Sequence, residues 1–236
     1  MKIIKTIIPY IFWIAIFIIF NVTIICASFS LTDTSLYNLI KKHNGYETLT
    51  YYIDVNEDEI SHISNDLQNY IIGKKENLDT KVSLSNNEKI NFYNGKALFH
   101  MREVRDIITT FIRLRTISII IAILSIIFIK LFIKNPMYAL QKSLLPIFII
   151  YVSIIIFIGA FSLISFDTFF IKLHETFFNN DLWLFDPRSE YIISLLPENL
   201  FFDILKRIIL MMGGFILSLL FLYLYLSKTQ LRQVTK

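Results

Sequence analysis

The sequence is poor in residues on which many kinds of protein chemistry depend. It contains one cysteine and six glycines among 236 residues. The single Cys26 excludes zinc-finger and thioredoxin-type motifs, which need paired cysteines. No two glycines have the G-x-G spacing of dinucleotide-binding loops, and neither Gly73 nor Gly95 completes a P-loop. The G-x-S-x-G elbow of many hydrolases is also missing. These absences argue against nucleotide-driven, redox and common hydrolase chemistry.

Charged residues are scarce as well. They make up 18% of the chain, against about 25% in an ordinary soluble domain. Hydrophobic residues make up 55%, and the mean hydropathy is +0.57. The net charge of +4, taken alone, would suggest an anionic partner such as nucleic acid. Whether it does depends on where the charges lie.

Long apolar runs are what the sequence has in abundance. A helix needs about 20 apolar residues to cross a bilayer core of about 30 Å. The first candidate could instead be a secretory signal, because Lys2 and Lys5 precede it, but its apolar run exceeds the usual signal core. We therefore predict four transmembrane helices, at residues 7–26, 116–133, 143–166 and 208–226.

The acidic residues are confined to two segments, residues 33–106 and 167–203. The remaining connections carry only basic residues, and enrichment of Lys and Arg in short loops marks the cytoplasmic side. We therefore predict a multi-pass membrane protein whose termini are both cytoplasmic. The net charge then reports topology, and no nucleic acid is needed to explain it. The predicted cytoplasmic basic residues are Lys2, Lys5, Lys130, Lys134, Lys142, Lys228, Arg232 and Lys236.

The predicted fold is an α-helical integral membrane protein. A small extracytoplasmic α+β domain, expected to be β-rich, is inserted between helices 1 and 2, and a re-entrant or interfacial segment lies between helices 3 and 4. The predicted segments are 1–27 (helix 1 and a cytoplasmic N-terminus), 28–98 (outer domain), 99–134 (a long helix containing helix 2), 135–166 (a cytoplasmic loop and helix 3), 167–205 (interfacial segment) and 206–236 (helix 4 and a cytoplasmic tail).

Within the outer domain, three local patterns predict secondary structure. Residues 47–55 are rich in Thr, Tyr, Ile and Val, which favours a strand. Asn56 followed by Glu59 resembles a capping box that opens a helix extending to Gly73. Residues 81–84 and 89–93 are short strand candidates around an Asn-Asn turn. A helical repeat of apolar residues then predicts that the second long helix begins near His100.

The second outer segment, counted from Phe166 to Asp203, combines seven acidic residues with ten aromatic residues. A water-exposed loop would not tolerate so many rings, and a spanning helix would not tolerate so many acids. An interfacial or re-entrant segment satisfies both demands. Pro187 and Pro197 divide it into short pieces.

Two histidines stand out because both lie close to an outer membrane boundary. His100 and His174 carry the side chain most often used for proton transfer near neutral pH, although an interfacial ring bonded to the backbone is the simpler alternative. Cys26 could pair with a histidine as a nucleophile, yet a cysteine in an apolar helix is usually an inert hydrophobe. No histidine spacing typical of a metal site is present. Arg113 and Arg115 are expected to reach lipid phosphates or, alternatively, to hold an anionic substrate.

Three sequence blocks resemble a known family. They are residues 98–106 (LFHMREVRD), 174–187 (HETFFNNDLWLFDP) and 195–201 (LLPENLF). The similarity is to the small bacterial integral membrane proteins that include the lipoprotein intramolecular transacylase. The blocks cover about an eighth of the chain, while its length, four-helix plan and inserted outer domain agree with that family throughout.

The resemblance implies transfer of an acyl chain within one lipoprotein. The sn-2 acyl chain of a diacylglyceryl-cysteine would move to the α-amino group of the same cysteine, giving a lyso-form lipoprotein at the outer leaflet face. His100 and His174 correspond to the family's paired histidines, which are thought to be catalytic. Additional candidates for binding the substrate or orienting a ring are Glu103, Arg105, Glu175, Asn180 and Trp183.

The implied partners are diacylglyceryl-modified bacterial lipoproteins and membrane lipids, with no metal, cofactor or nucleotide. A competing hypothesis is a membrane scaffold or sensor that binds a partner through its outer domain. A transporter is less consistent with the sequence, because two of the four predicted helices lack ionisable residues and the others have them only near their ends.

Overall fold

The computed structural model describes residues 1–30 and 36–234, with side chains for residues 1–28 and 36–228. Asp33 and Lys236, and the side chain of Arg232, belong to the predicted charge pattern and lie outside the described part. In chain order the elements are α1 (Lys2–Ser30), α2 (Leu36–Lys42), α3 (Gly45–Thr50), α4 (Glu57–Ile71), β1 (Lys81–Ser83), β2 (Lys89–Asn91), α5 (Gly95–Phe132), α6 (Pro136–Ile164), α7 (Phe166–Phe177), α8 (Ile192–Leu195) and α9 (Glu198–Val234).

Among the described residues, four helices are long and apolar enough to cross a membrane. They are α1, α5, α6 and α9, and each contains most or all of one predicted apolar stretch, so the prediction of four spanning helices is confirmed. The third predicted stretch, residues 143–166, extends two residues beyond the end of α6. Ser165 takes an extended backbone conformation, ends α6 at Ile164 and starts α7 at Phe166.

The chain forms two compact units. The first contains residues Met1–Ile25, Ile112–Ile164 and the chain from Ile208 onward. Its core includes Trp13, Phe17, Leu144, Phe215 and Leu219. The hydrogen bonds between its described helices include three from side chains: the Trp13 indole donates to the Leu140 carbonyl at 2.9 Å, the Tyr151 hydroxyl donates to the Asn21 side-chain oxygen at 2.9 Å, and the Gln141 amide donates to the Ser227 hydroxyl at 2.5 Å. In an apolar surrounding, such satisfied polar groups help to fix one helix against another.

The second unit contains residues Cys26–Phe111 and Ser165–Arg207. Its core includes buried apolar residues of α4, spaced three and four apart at Ile60, Ile63 and Leu67. The strands β1 and β2 pair antiparallel, with Val82 opposite Ile90. The helix α3 packs against α8, so the aromatic-rich segment 167–205 and the segment after α1 share this core.

The predicted strand at residues 47–55 is wrong. Gly45–Thr50 is helical, and only Val55 bridges to Leu84. Gly45 and Leu49 are the buried residues of this helix, and their four-residue spacing is the period of a helix. Burial of this stripe therefore overrides the strand preference of Thr, Tyr and Ile. The described part of the outer segment is consequently not β-rich, because it has two strands of three residues each.

The other local predictions are closer to the structure. The helix after Asn56 is confirmed as α4, and the two short strands are confirmed with fewer residues than predicted. The capping box is wrong: the Asn56 side chain makes no capping hydrogen bond, and the Glu59 carboxylate accepts from the Ser83 backbone N–H at 3.2 Å. The helix α5 begins at Gly95, about one turn before His100.

Candidate functional site

His100 and His174 lie side by side in the second compact unit. His100 is in the second turn of α5 and His174 is in the last turn of α7. Their ring centroids are 5.8 Å apart and the ring planes differ by 30°. His100 is buried, with 4% of its surface exposed, and His174 is half-buried. Two basic side chains far apart in sequence therefore meet in a sheltered position.

Aromatic side chains enclose the two imidazoles. The rings of Phe178 and Phe185 lie 4.6 and 5.6 Å from the His100 ring. The rings of Phe170 and Trp183 lie 4.2 and 4.7 Å from the His174 ring. All four belong to the segment whose aromatic content is conspicuous in the sequence. That content indicated an apolar segment but did not indicate which rings would contact the histidines.

His174 is held by its own helix. Its Nδ1 lies 2.8 Å from the Phe170 carbonyl oxygen, one helical turn earlier. A carbonyl oxygen only accepts, so Nδ1 carries the hydrogen and Nε2 of the neutral ring has a lone pair. Burial lowers the pKa of His174, and the bond to the Phe170 carbonyl opposes that effect in part. The ring is therefore neutral near pH 7, in the form that can accept a proton.

Glu103 and Asn180 form a polar pair beside His100. The Asn180 side-chain amide donates to Glu103 Oε1 at 2.8 Å, and its oxygen accepts from the Leu182 backbone N–H at 2.9 Å. The other carboxylate oxygen, Oε2, lies 4.0 Å from His100 Nδ1. Both of these atoms are buried and have no hydrogen-bond partner. A carboxylate thus faces one histidine of the pair.

The remaining candidates have different surroundings. The Arg105 guanidinium donates to the Glu76 carbonyl at 2.9 Å and lies over the Tyr70 ring. The Glu175 carboxylate pairs with Lys172 at 2.5 Å on the exposed side of α7. The structure therefore brings His100, His174, Glu103, Asn180 and Trp183 together, and it engages Arg105 and Glu175 elsewhere.

One charged cluster has no counterpart among the sequence predictions. Asp203 accepts from Lys42, from His43 at 3.0 Å and from Lys206 at 3.1 Å. Neither the spacing nor the composition marks these residues, because α2 and α9 are far apart in the chain. Within the part of the chain that is described, no group of three His, Cys, Asp or Glu residues is placed to hold a metal ion.

Comparison with known proteins gives a family and a fold. A family model described as "Lit: Lipoprotein intramolecular transacylase Lit" matches residues 8–202. The in meso structure of the membrane integral lipoprotein intramolecular transacylase Lit from Bacillus cereus is 22% identical, with a TM-score of 0.65, over 97% of this chain and 96% of that one. A search among curated proteins gives no match.

Two mutant structures of the same Bacillus cereus protein are also similar. In one a histidine is replaced by arginine; it is 21% identical, with a TM-score of 0.62, over 98% of this chain and 94% of that one. In the other a histidine is replaced by alanine; it is 20% identical, with a TM-score of 0.60, over 97% of this chain and 96% of that one. Similarity at this level of identity shows a shared fold.

Proposed function

The chain belongs to the Lit family of lipoprotein intramolecular transacylases, and we propose that it moves the sn-2 acyl chain of a diacylglyceryl-cysteine lipoprotein to the α-amino group of the same cysteine. The product is a lyso-form lipoprotein with an N-acyl chain. The substrate is supplied by the membrane, so the proposed partners are diacylglyceryl-modified lipoproteins and the surrounding lipids.

The observation that carries the proposal is the pair of enclosed imidazoles, 5.8 Å apart at the junction of α5 and α7. Aminolysis of an ester requires removal of a proton from the amine and delivery of a proton to the departing alcohol. The α-amino group has a pKa of about 7.7–8.0, so a neutral imidazole is a suitable base for it. One histidine takes the amine proton, and the other stabilises the oxyanion or protonates the alcohol.

The reaction needs no acyl-enzyme and no nucleotide. Amine and ester belong to one molecule, so holding them together contributes several kcal/mol of the barrier reduction. The rings of Phe170, Phe178, Phe185 and Trp183 offer an apolar surface for the acyl chains, with Trp183 at the headgroup level. Glu103 and Asn180 act beside His100. For Arg105 and Glu175 a role stays a prediction from the sequence, because their side chains bind other partners.

The protein is a multi-pass membrane protein, and the proposed orientation follows from its charges. Both termini lie in the cytoplasm, and the site opens at the outer leaflet. The supporting observation is that the outer segments carry every acidic residue of the chain.

The decisive experiment is mass spectrometry of a lipoprotein's N-terminal peptide from bacteria with and without this gene. We expect the N-acyl, lyso-form peptide only when the gene is present, and the diacylglyceryl form in its absence. Finding the diacylglyceryl form alone in both strains contradicts the proposal.

Variants link the activity to the site. We expect His100→Ala and His174→Ala each to reduce conversion about 10²- to 10⁴-fold, the usual contribution of a general acid or base. The matched control is Cys26→Ser, which should retain activity because no acyl-cysteine is formed. Full activity in both histidine variants would favour the scaffold or sensor hypothesis, and loss in the cysteine variant would favour an acyl-cysteine route.

A further inference from the structure

A buried carboxylate and a buried imidazole face each other without a hydrogen bond. His100 Nδ1 and Glu103 Oε2 are 4.0 Å apart, one helical turn apart on α5, and neither has another partner. Leaving both atoms unpaired costs free energy in an apolar site. An approach of about 1 Å would form a charge-assisted hydrogen bond of about 2.8 Å. The two groups are therefore placed to bond to each other.

Asn180 fixes which way the Glu103 carboxylate points. The Asn180 oxygen accepts from the Leu182 backbone N–H, so its amide nitrogen must face Glu103 Oε1. With one oxygen held in this way, the other is turned toward His100. In the described part of the chain, no Lys or Arg pairs with Glu103, so its charge is available to His100.

A bond between His100 and Glu103 would give both histidines the same tautomer but different abilities to hold a proton. His174 donates from Nδ1–H to a neutral carbonyl, so its Nε2 is an acceptor. Once His100 donates from Nδ1–H to the Glu103 carboxylate, its Nε2 is an acceptor as well. Only His100 has a negative charge beside it to stabilise an imidazolium. A second imidazolium 5.8 Å away would be repelled by the first. The pair can therefore hold at most one proton, and an approach of Glu103 to His100 would favour His100 as its site.

We infer that Glu103, held by Asn180, is a positioning residue that makes His100 the base of the transfer. This inference rests on the proposed function. The amine nitrogen forms a bond to the sn-2 ester carbonyl carbon, and the carbonyl π electrons move to oxygen. The proton that the nitrogen loses goes to Nε2 of His100. When the oxyanion collapses, the bond between the acyl carbon and the glycerol oxygen breaks, and His100 returns the proton to that oxygen.

His174 then cannot be the acid or the oxyanion donor, because its Nδ1–H is bonded to the Phe170 carbonyl and its Nε2 only accepts. Of the two roles that the proposed reaction leaves open to the second histidine, neither applies, and the neutral ring instead accepts a hydrogen bond from the second N–H of the amine through Nε2, which aims the nitrogen lone pair at the ester. His174 keeps its Nδ1–H and takes up no further proton at any step. The products are an amide and an alcohol, so every atom of the substrate is accounted for without a co-reactant.

The test uses the full chain, purified in detergent, and a synthetic diacylglyceryl-cysteine peptide followed by mass spectrometry. We expect Glu103→Gln to lower kcat about 10²-fold with KM changed less than about twofold, because the base is weakened while the acyl chains still bind. Glu103→Asp should recover part of the rate, and Asn180→Ala should lose about tenfold. Asp106→Asn, which removes an exposed carboxylate from the same helix, should behave as wild type.

A structural readout separates positioning from folding. In ¹⁵N NMR of labelled protein, His100 should be the Nδ1–H tautomer in wild type and a mixture in Glu103→Gln, with His174 unchanged. Wild-type kcat in Glu103→Gln, or a lower kcat without a tautomer change, overturns the inference. If Glu103→Gln does not fold, kcat and the His100 tautomer are measured in Asn180→Ala instead. A wild-type kcat there, or a lower kcat without a tautomer change, likewise overturns the inference. An inactive wild type contradicts the proposed function instead, and the tautomer of His100 still tests the contact with Glu103.

Discussion

At the scale of single residues, the site depends on what surrounds each imidazole. His174 sits among rings and bonds to a backbone carbonyl, and its pKa is lowered mainly by burial. The unfolded chain takes up a proton near the ordinary histidine value of about 6.5. As the pH falls through this value, the unfolded state binds the proton first, so the folded state loses stability.

This lowered pKa gives the first prediction. In NMR titration of the folded protein, the His174 resonance, assigned with His174→Gln, should have its midpoint below that of the same residue in the denatured chain. Chemical unfolding in detergent should show a lower free energy of unfolding at pH 5 than at pH 7, and the difference should shrink in His174→Gln. A His174 midpoint above the denatured-chain value would contradict the burial argument.

Some of these contacts can be predicted from the sequence because they are local, and others cannot because they join distant parts of the chain. Glu103 follows His100 by three residues, so one helix face brings them together and the contact is predictable. Asn180 is 77 residues away from Glu103, and only the packing of the aromatic segment brings it there. Arg105 is a candidate for binding the substrate or orienting a ring, yet its side chain contacts the Glu76 carbonyl and the Tyr70 ring.

At the scale of elements, α3 is a helix because burial of one face outweighs the strand preference of its residues. The four long apolar runs predict helices well, because length and hydropathy leave no alternative in a bilayer. The short outer elements are harder to predict, since six or seven residues carry little periodicity and their partners come from another part of the chain. For α3 the partner is α8, which follows the aromatic segment.

The close packing of α3 on α8 gives the second prediction. A Cβ on Gly45 would lie 2.3 Å from the Leu195 carbonyl oxygen and 3.0 Å from a methyl carbon of Ile40. Gly45→Ala should therefore lower the free energy of unfolding by about 1–3 kcal/mol, the usual cost of overpacking. Thermal unfolding in detergent measures this.

The matched control for this substitution is Gly213→Ala, where an added Cβ meets nothing within 4 Å. Alanine is the better helix former, so this variant should be neutral or slightly more stable than wild type. An equal loss of stability in the two variants would mean that the contact with Leu195 is not the cause.

At the scale of the molecule, the division of charge coincides with the division into compact units. All acidic residues fall between residues 33 and 106 or between 167 and 203, and both ranges lie inside the second unit. The first unit contains no acidic residue. The predicted membrane orientation is inferred from the same asymmetry. The compact units and the predicted topology therefore divide the chain in the same way.

This pattern gives the third prediction, which concerns sidedness. In a Cys26→Ser background, a cysteine introduced as Tyr51→Cys should react with a membrane-impermeant maleimide in intact bacteria, because Tyr51 is 86% exposed on the predicted outer side. A cysteine introduced as Lys236→Cys should react only after permeabilisation. Labelling of Lys236→Cys in intact cells would contradict the cytoplasmic tail.

The separation of charge also bears on how the chain enters the bilayer. Between residues 167 and 203 there are seven acidic and two basic residues, a net charge of −5. The transmembrane potential, positive outside, does work of about 2.3 kcal/mol per charge per 100 mV on a segment that crosses it. At 100 mV this amounts to about 11 kcal/mol in favour of exporting the segment that carries His174. In the proposed orientation, the energised membrane would therefore help to deliver His174 to the outer surface.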